Sequence, residues 1–458
     1  MNLRIRISVL ALLASSFVFG QESDSAVARR IFTEELTNGK SYEMLEYLCT
    51  RIGSRLSGSP QAAAAVEWSK QQMEKFGFDK VTLQEVMVPH WVRGAAEYAV
   101  IVNSKAIGSR EVPVLALGGS IATPPGGITA NVVEVHSFEE LEELGKKNIQ
   151  GKIVFYNRPL DPTLISTGSA YGGAVDQRHS GAKHAARYGA VAAIVRSMTT
   201  QHDDVPHTGS MRYDTVGTKI PTAAISTNAA DLLSSLLKDD SDVQFHLELH
   251  CETLPDVKSY NVIGEIRGSE FPDEIILVGG HLDSWDVGHG AHDDGGGCVQ
   301  SIEVLRLFKV LGIIPKRTLR AVMFMNEENG MNGAKEYAAQ AKAKGENHIV
   351  AIESDAGVFT PRGFGVYSEG DGLAKIQRWL PIFKDYNIYQ IEKGWGGADI
   401  NKLKDQGTVL IGFRPDTQRY FDLHHTNSDT FDKVNKRELE LGAATMAVLV
   451  YLLSEHGL

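Results

Sequence analysis

"EIILVGGHLDSWDVGHGAHDDGGGCVQSIEVLRLFKVLG", residues 274–312, joins two periodicities through one polar loop. Its start is a short apolar run closed by two glycines, the pattern of a buried strand, and its end repeats apolar residues at helical spacing. Between them, residues 281–297 hold three histidines and four aspartates. A strand that feeds a helix through such a loop is the repeat unit of a doubly wound sheet. In those sheets ligands bind beyond the carboxyl ends of the strands. The same stretch therefore predicts a fold and a place for chemistry.

The unit recurs downstream. "LRAVMFM" leads into "NEENG" and then the helical "AKEYAAQAKAKG"; "HIVAIE" leads into "SDAG"; "TVLIGF" precedes "RYFDLHHTNSDTFD", and a last helix covers residues 436–453. This predicts an α/β fold with a mixed, mostly parallel sheet and helices on both faces. Upstream, residues 24–90 read as helices followed by the strand "KVTLQEVMVP", with Ser59 and Pro60 suited to a helix start and Gly77 to its end. From 95 to 255 the texture becomes short β-like runs with a single alanine-rich helix, "SGAKHAARYGA". Helix and strand alternation resumes only afterwards. A β-rich domain at 95–255, inserted into a discontinuous domain of residues 21–94 and 256–458, is the expected organisation.

The first twenty residues have a basic start, an apolar centre and a small residue before Gln21, the pattern of a secretory signal cleaved near Gly20. Export to a periplasmic or extracellular space follows, with no stable membrane span, because the apolar run is too short to cross a bilayer. Cleavage moves the net charge from −11 to −13, since two arginines and no acid are lost. An acidic surface argues against a nucleic-acid partner. Three cysteines form no disulfide framework.

Three strand ends carry His281, the pair Glu327/Glu328 and Asp355, all at one edge of the expected sheet. With Asp293 and the pair His424/His425 they amount to donors for two metal ions. Two divalent ions ~3.5–4 Å apart need a bridging carboxylate, and each needs an imidazole and another carboxylate. Asp293, in a glycine-flanked turn, suits the bridge; His281 with Asp355, and Glu328 with His425, complete the two sites. Neighbours on an extended segment face opposite ways, which leaves Glu327 free as general base beside Glu328 as ligand. Asp283 would orient His281. Asp286, His289 and His292 are assigned to the loop or its rim, Asp294 to structure and Cys298 to packing. Asp399, in "GWGGADIN", is a candidate to receive a substrate ammonium group.

"GGHLDSWDVGHGAHDDGGG", "NEENG", "ESDAG" and "HHTNSDT" resemble the co-catalytic zinc exopeptidases of the aminopeptidase and glutamate carboxypeptidase superfamily. The likeness extends to "RLSGSP", "VPHWVRG", "VPHTG" and "PKRTLR", and so over nearly all of the chain beyond the signal. The resemblance implies the zinc exopeptidase fold, two Zn2+ per chain held by His281, Asp293, Glu328, Asp355 and His425, and Glu327 as the base. It also implies that residues 95–255 are a protease-associated domain. His425 rather than His424 matches the family signature His-x-x-x-Asp-Thr, through Asp429 and Thr430. Many relatives have tyrosine where His424 stands, which suggests that His424 donates to the oxyanion of the tetrahedral intermediate.

The expected activity is hydrolysis of dipeptides or short peptides with free termini, of carboxypeptidase or dipeptidase type; aminopeptidase action on longer peptides is the alternative. A non-catalytic binding protein and a one-zinc glutaminyl cyclase on the same fold are the rivals, disfavoured by a complete ligand set. A homodimer is compatible with the sequence.

Overall fold

The computed structural model describes residues 22–458; the expected signal segment lies outside the described residues. Eight strands form a first sheet: β1 (Lys80–Val92), β2 (Glu252–Ile266), β3 (Phe271–His281), β4 (Arg317–Phe324), β5 (Asn347–Glu353), β6 (Pro361–Tyr367), β7 (Gln390–Lys393) and β8 (Val409–Pro415). Their spatial order is β1-β2-β4-β3-β5-β8-β6-β7. The central four, β4, β3, β5 and β8, run parallel. β2 and β6 pair antiparallel on either side of them.

Alternation along the strands builds two cores from one sheet. Ile276 and Val278 of β3 pack with the helices Asp24–Asn38, Gly296–Leu311 and Lys436–His456. Leu277, between them, packs with Ala334, Tyr337 and Ala338 of the helix Asn332–Lys344 on the opposite face. Burial on both faces is why the central strands read as unbroken apolar runs rather than as alternating ones. The helix Pro60–Lys75 starts as its sequence dictates, with the Ser59 side chain accepting from the Ala62 N–H and Pro60 in the first turn.

A second eight-stranded sheet is drawn wholly from residues 98–248. The expectation of a β-rich unit with one helix is too sparse: helices cover Phe138–Ile149, Thr167–Gly172, Val175–Arg187 and Thr227–Asp239. Three of them begin at serines whose side chains accept an N–H three residues on, Ser137, Ser166 and Ser226. Those caps are short polar signals among glycine and proline, easily read as turns. β1 and β2 link the two sheets. They pair from Lys80 opposite Glu265 to Val92 opposite Glu252, so the chain leaves the first unit and returns to it along neighbouring strands.

Candidate metal centre

β3 ends at His281, β4 leads through Met325 into the turn carrying Glu327 and Glu328, and β5 ends two residues before Asp355. Because these strands are adjacent and parallel, the three positions meet at one edge. Asp293 arrives from the loop that follows β3. Its Oδ1 lies 3.1 Å from His281 Nε2 and its Oδ2 3.2 Å from His425 Nε2, so one carboxylate stands between two imidazoles. His281 Nε2 is also 3.5 Å from Asp355 Oδ1, and His425 Nε2 is 3.1 Å from Glu328 Oε2. The structure thus brings together all five residues expected as ligands.

The arrangement fits cations. Asp293 Oδ2 and Glu328 Oε1 are buried and accept no hydrogen bond. Burial, reinforced by neighbouring carboxylates, pushes Glu327 and Glu328 well above the usual carboxyl range. Burial acts the same way on Asp293, but the imidazoles of His281 and His425 outweigh it and hold that acid well below its usual range. Crowded acids of this kind are charge-compensated by a bound divalent ion, which reverses the penalty on their ionised forms. Two overlapping donor groups are present, His281–Asp293–Asp355 and Asp293–His424–His425. Imidazole and carboxylate donors suit zinc.

Asp283 acts differently from the expected side-chain contact. His281 Nδ1 meets the backbone carbonyl of Asp283 at 2.9 Å, while the nearer carboxylate oxygen is 3.9 Å away. The carboxylate instead accepts the N–H groups of Asn326, Glu327 and Glu328, at 2.7, 3.0 and 3.4 Å. Glu327 and Glu328 therefore diverge because Asp283 holds a turn, not because they lie on an extended strand. Both reach the cavity wall, but Glu328 is buried against His425, whereas Glu327 is only partly buried and meets neither imidazole.

His424 stacks on His425 with ring centroids 3.5 Å apart, and its Nε2 is 3.7 Å from Asp293 Oδ2. Consecutive side chains share one side here because His425 sits in the left-handed region, at φ +63°. Asp399 is a correction. It is 1% exposed, both of its carboxylate oxygens are buried without a hydrogen-bond partner, and Ala398, not Asp399, forms the cavity wall there. It precedes the 3-10 helix Ile400–Gln406, whose turn carries the side chain inward.

The remaining polar residues of the loop have other partners. Asp286 takes both arms of Arg93, at 2.9 and 2.6 Å. His289 and His292 each accept a backbone N–H, from Phe431 and Val358. Asp294 accepts from the His281 and Gly297 N–H groups, and the buried Cys298 thiol donates to the His281 carbonyl.

Sequence reasoning missed five contributors. Arg55 is fully buried and donates to the carbonyls of Leu282, His289 and Gly290, at 2.6, 2.7 and 2.9 Å, pinning both ends of the metal loop. Trp285, in the middle of that loop, is buried in the core of the second unit with Trp91 and Ala116. From the second unit, the Thr208 carbonyl lies 3.3 Å from His425 Nδ1, and Tyr171 and Arg178 flank the two histidines. "RLSGSP" and "VPHTG" contain two of these residues, but contacts made to or by a backbone carbonyl leave no side-chain pattern to read. A cavity of about 1380 Å³ opens over the cluster, with walls from both units.

The sequence pattern of Peptidase family M28 matches residues 261–450. Carboxypeptidase Q of Bos taurus is 38% identical over 416 residues, covering 91% of this chain and 85% of that protein; carboxypeptidase Q of Homo sapiens gives the same figures. Among solved structures, a peptidase M28 precursor from Shewanella amazonensis SB2B superposes with a TM-score of 0.89 at 35% identity, over 94% of this chain and 96% of that one. An aminopeptidase from Aneurinibacillus sp. strain AM-1 shares the fold, with a TM-score of 0.64 at 20% identity and the same coverage. With a metal-competent cluster at the strand edge and this likeness along the whole described chain, the protein belongs to peptidase family M28.

Proposed function

We propose that this peptidase is an exported di-zinc exopeptidase that hydrolyses dipeptides or short peptides with free termini. The observation that carries the reading is the Asp293 carboxylate between His281 and His425, each imidazole with a further acid beside it. His281 and Asp355 would hold one ion, Glu328 and His425 the other, with Asp293 shared. Zinc bound there supplies Lewis acidity that polarises the scissile carbonyl and acidifies the attacking water.

Glu327 lies on the cavity wall, beside the ligands but hydrogen-bonded to none of them, where it takes the water's proton and delivers it to the leaving amine. Asp283 fixes Glu327 by accepting its N–H, and fixes His281 through its own carbonyl. Residues 95–255 act as a protease-associated domain that roofs the cavity. The signal pattern of residues 1–20 supports export, and no described helix is long and apolar enough to cross a membrane.

The test is hydrolysis of free, N-blocked and C-amidated dipeptides before and after chelation, with metal analysis. About two zinc ions per chain are expected, together with loss of at least ~100-fold in rate on metal removal and recovery when zinc is returned. Hydrolysis that persists after complete metal removal refutes the reading.

His424, at the cavity wall beside Asp293, donates to the oxyanion as it forms. The expected result for His424→Ala is a fall in kcat of about 10²–10³-fold with zinc content little changed. Parallel loss of zinc and activity would make His424 a ligand or a ligand support instead.

A further inference from the structure

Every side chain of the metal donor set comes from the first unit, yet the cavity above it is walled in part by the second. Tyr171, on the helix Thr167–Gly172 of the second unit, stands on that wall with His424 and His425. Its ring is held by three neighbours. Phe421 stacks on it with centroids 4.7 Å apart, His424 meets it edge-on at 5.2 Å, and the Arg178 guanidinium lies 5.4 Å from its centre. Phe421 and His424 belong to the segment that carries the ligand His425, so the second unit docks this tyrosine directly on the metal centre.

The Tyr171 hydroxyl is half used. Its oxygen accepts from Arg178 Nη2 at 2.6 Å, and among the described residues its proton meets no acceptor. A phenol donates one hydrogen bond as well as accepting, so pinning the oxygen leaves the O–H to turn into the cavity. The guanidinium that pins it is 6% exposed, and a buried charge on the oxygen lone pair strengthens the O–H as a donor. Burial, joined by the charges of Asp293 and Glu327, outweighs Arg178 and holds the phenol above its usual range, so the proton stays in place to be shared. Asp293 and Glu327 line the same cavity as the hydroxyl.

Glu327 and the water that it deprotonates take up one side of the cluster. The oxygen of the scissile carbonyl must lie on another, because the attacking and attacked oxygens occupy separate corners of the tetrahedral carbon. The remaining side is that of His425, over which His424 stacks and which Tyr171 borders. We propose that the Tyr171 hydroxyl donates a hydrogen bond to the scissile carbonyl oxygen as it gains negative charge, so that the second unit supplies a catalytic residue to a centre whose metal ligands all lie in the first. This rests on the peptidase reading above and adds a second donor beside His424. The proton stays on Tyr171 throughout, and no covalent bond to it forms. A donor fixed before the charge develops needs no reorganisation when it does.

The experiment compares the zinc-loaded wild type with Tyr171→Phe, which keeps the ring and its stacking on Phe421 and loses only the hydroxyl. Each protein is measured for kcat and KM on one dipeptide, for zinc content, and for affinity toward a phosphinic dipeptide whose tetrahedral, charged oxygen imitates the transition state. Y171F should lower kcat by about 10²-fold, with KM within about threefold of wild type and zinc content unchanged. The phosphinic dipeptide should bind more weakly by a similar factor, while a free amino acid product binds as before. A kcat within about threefold of wild type overturns the proposal. So does a fall in kcat accompanied by zinc loss or by unchanged affinity for the phosphinic dipeptide, since either makes the tyrosine a support for His424 rather than a donor. Should Y171F fail to fold, 3-fluorotyrosine at position 171 decides: a fluorine NMR resonance that moves when the phosphinic dipeptide binds supports the proposal, and one that stays in place overturns it. A zinc-loaded wild type that cleaves no peptide bond removes the underlying peptidase reading, whereas undiminished turnover in Y171F removes only this one.

Discussion

Replacing Glu327 by glutamine lowers kcat by about 10²–10⁴-fold, the range that a positioned general base contributes, while zinc content and KM stay close to wild type. Glutamine keeps the shape and the backbone N–H that Asp283 accepts, so the turn persists. Glu328 still faces His425, so the donor set persists as well. What disappears is the one acid of the cluster that lines the cavity without pairing to either imidazole. Steady-state kinetics with zinc analysis on the same samples checks this. Near-normal turnover in Glu327→Gln would transfer the base function elsewhere and refute the assigned mechanism.

Arg55→Ala carries the largest expected stability cost. The guanidinium is the shared donor for three carbonyls, two of them at the far end of the loop that joins His281 to Asp293. Removing it leaves three buried acceptors without their charged donor and opens a void beside Leu45 and Gly295. We expect a loss of about 3–5 kcal/mol, read as a lower midpoint in urea unfolding, and a weaker hold on zinc. Arg55→Lys should recover only part, since one ammonium cannot reach both ends of the loop in the fork geometry that Arg55 uses. A substitution that unfolds at the wild-type midpoint would show the loop to be held by its other contacts.

The parts of the site most legible in the sequence are those with a local signature. His281, Glu328 and Asp355 each follow an apolar run long enough to read as a buried strand, and parallel strands must present their carboxyl ends together. Asp293 is marked by the glycines that let the loop turn into a helix. The geometry of Glu327 is less accessible, because its divergence from Glu328 depends on a carboxylate more than forty positions earlier accepting three successive N–H groups. Arg55, Thr208 and Arg178 are hidden for the same reason: each makes its contact through a backbone carbonyl that meets it from distant chain. Asp399 shows the opposite failure. Its glycine-rich surroundings suggest an accessible acid, yet the helical turn that it begins buries it.

Trp285 bears on how such a protein can change over generations. One ring from the metal loop fills the interior of the second unit, and a Cβ on Gly118 of that unit would collide with it. Arg93 and Asp286 fasten the same junction by charge. The unit at 98–248 is therefore no detachable accessory: exchanging it for a homologous roof, or dispensing with it, would strip the loop that positions Asp293 of its anchor. The two halves are heritable only as a matched pair, and the tryptophan and the bare glycine beneath it are the lock and key by which recombinants would be sorted.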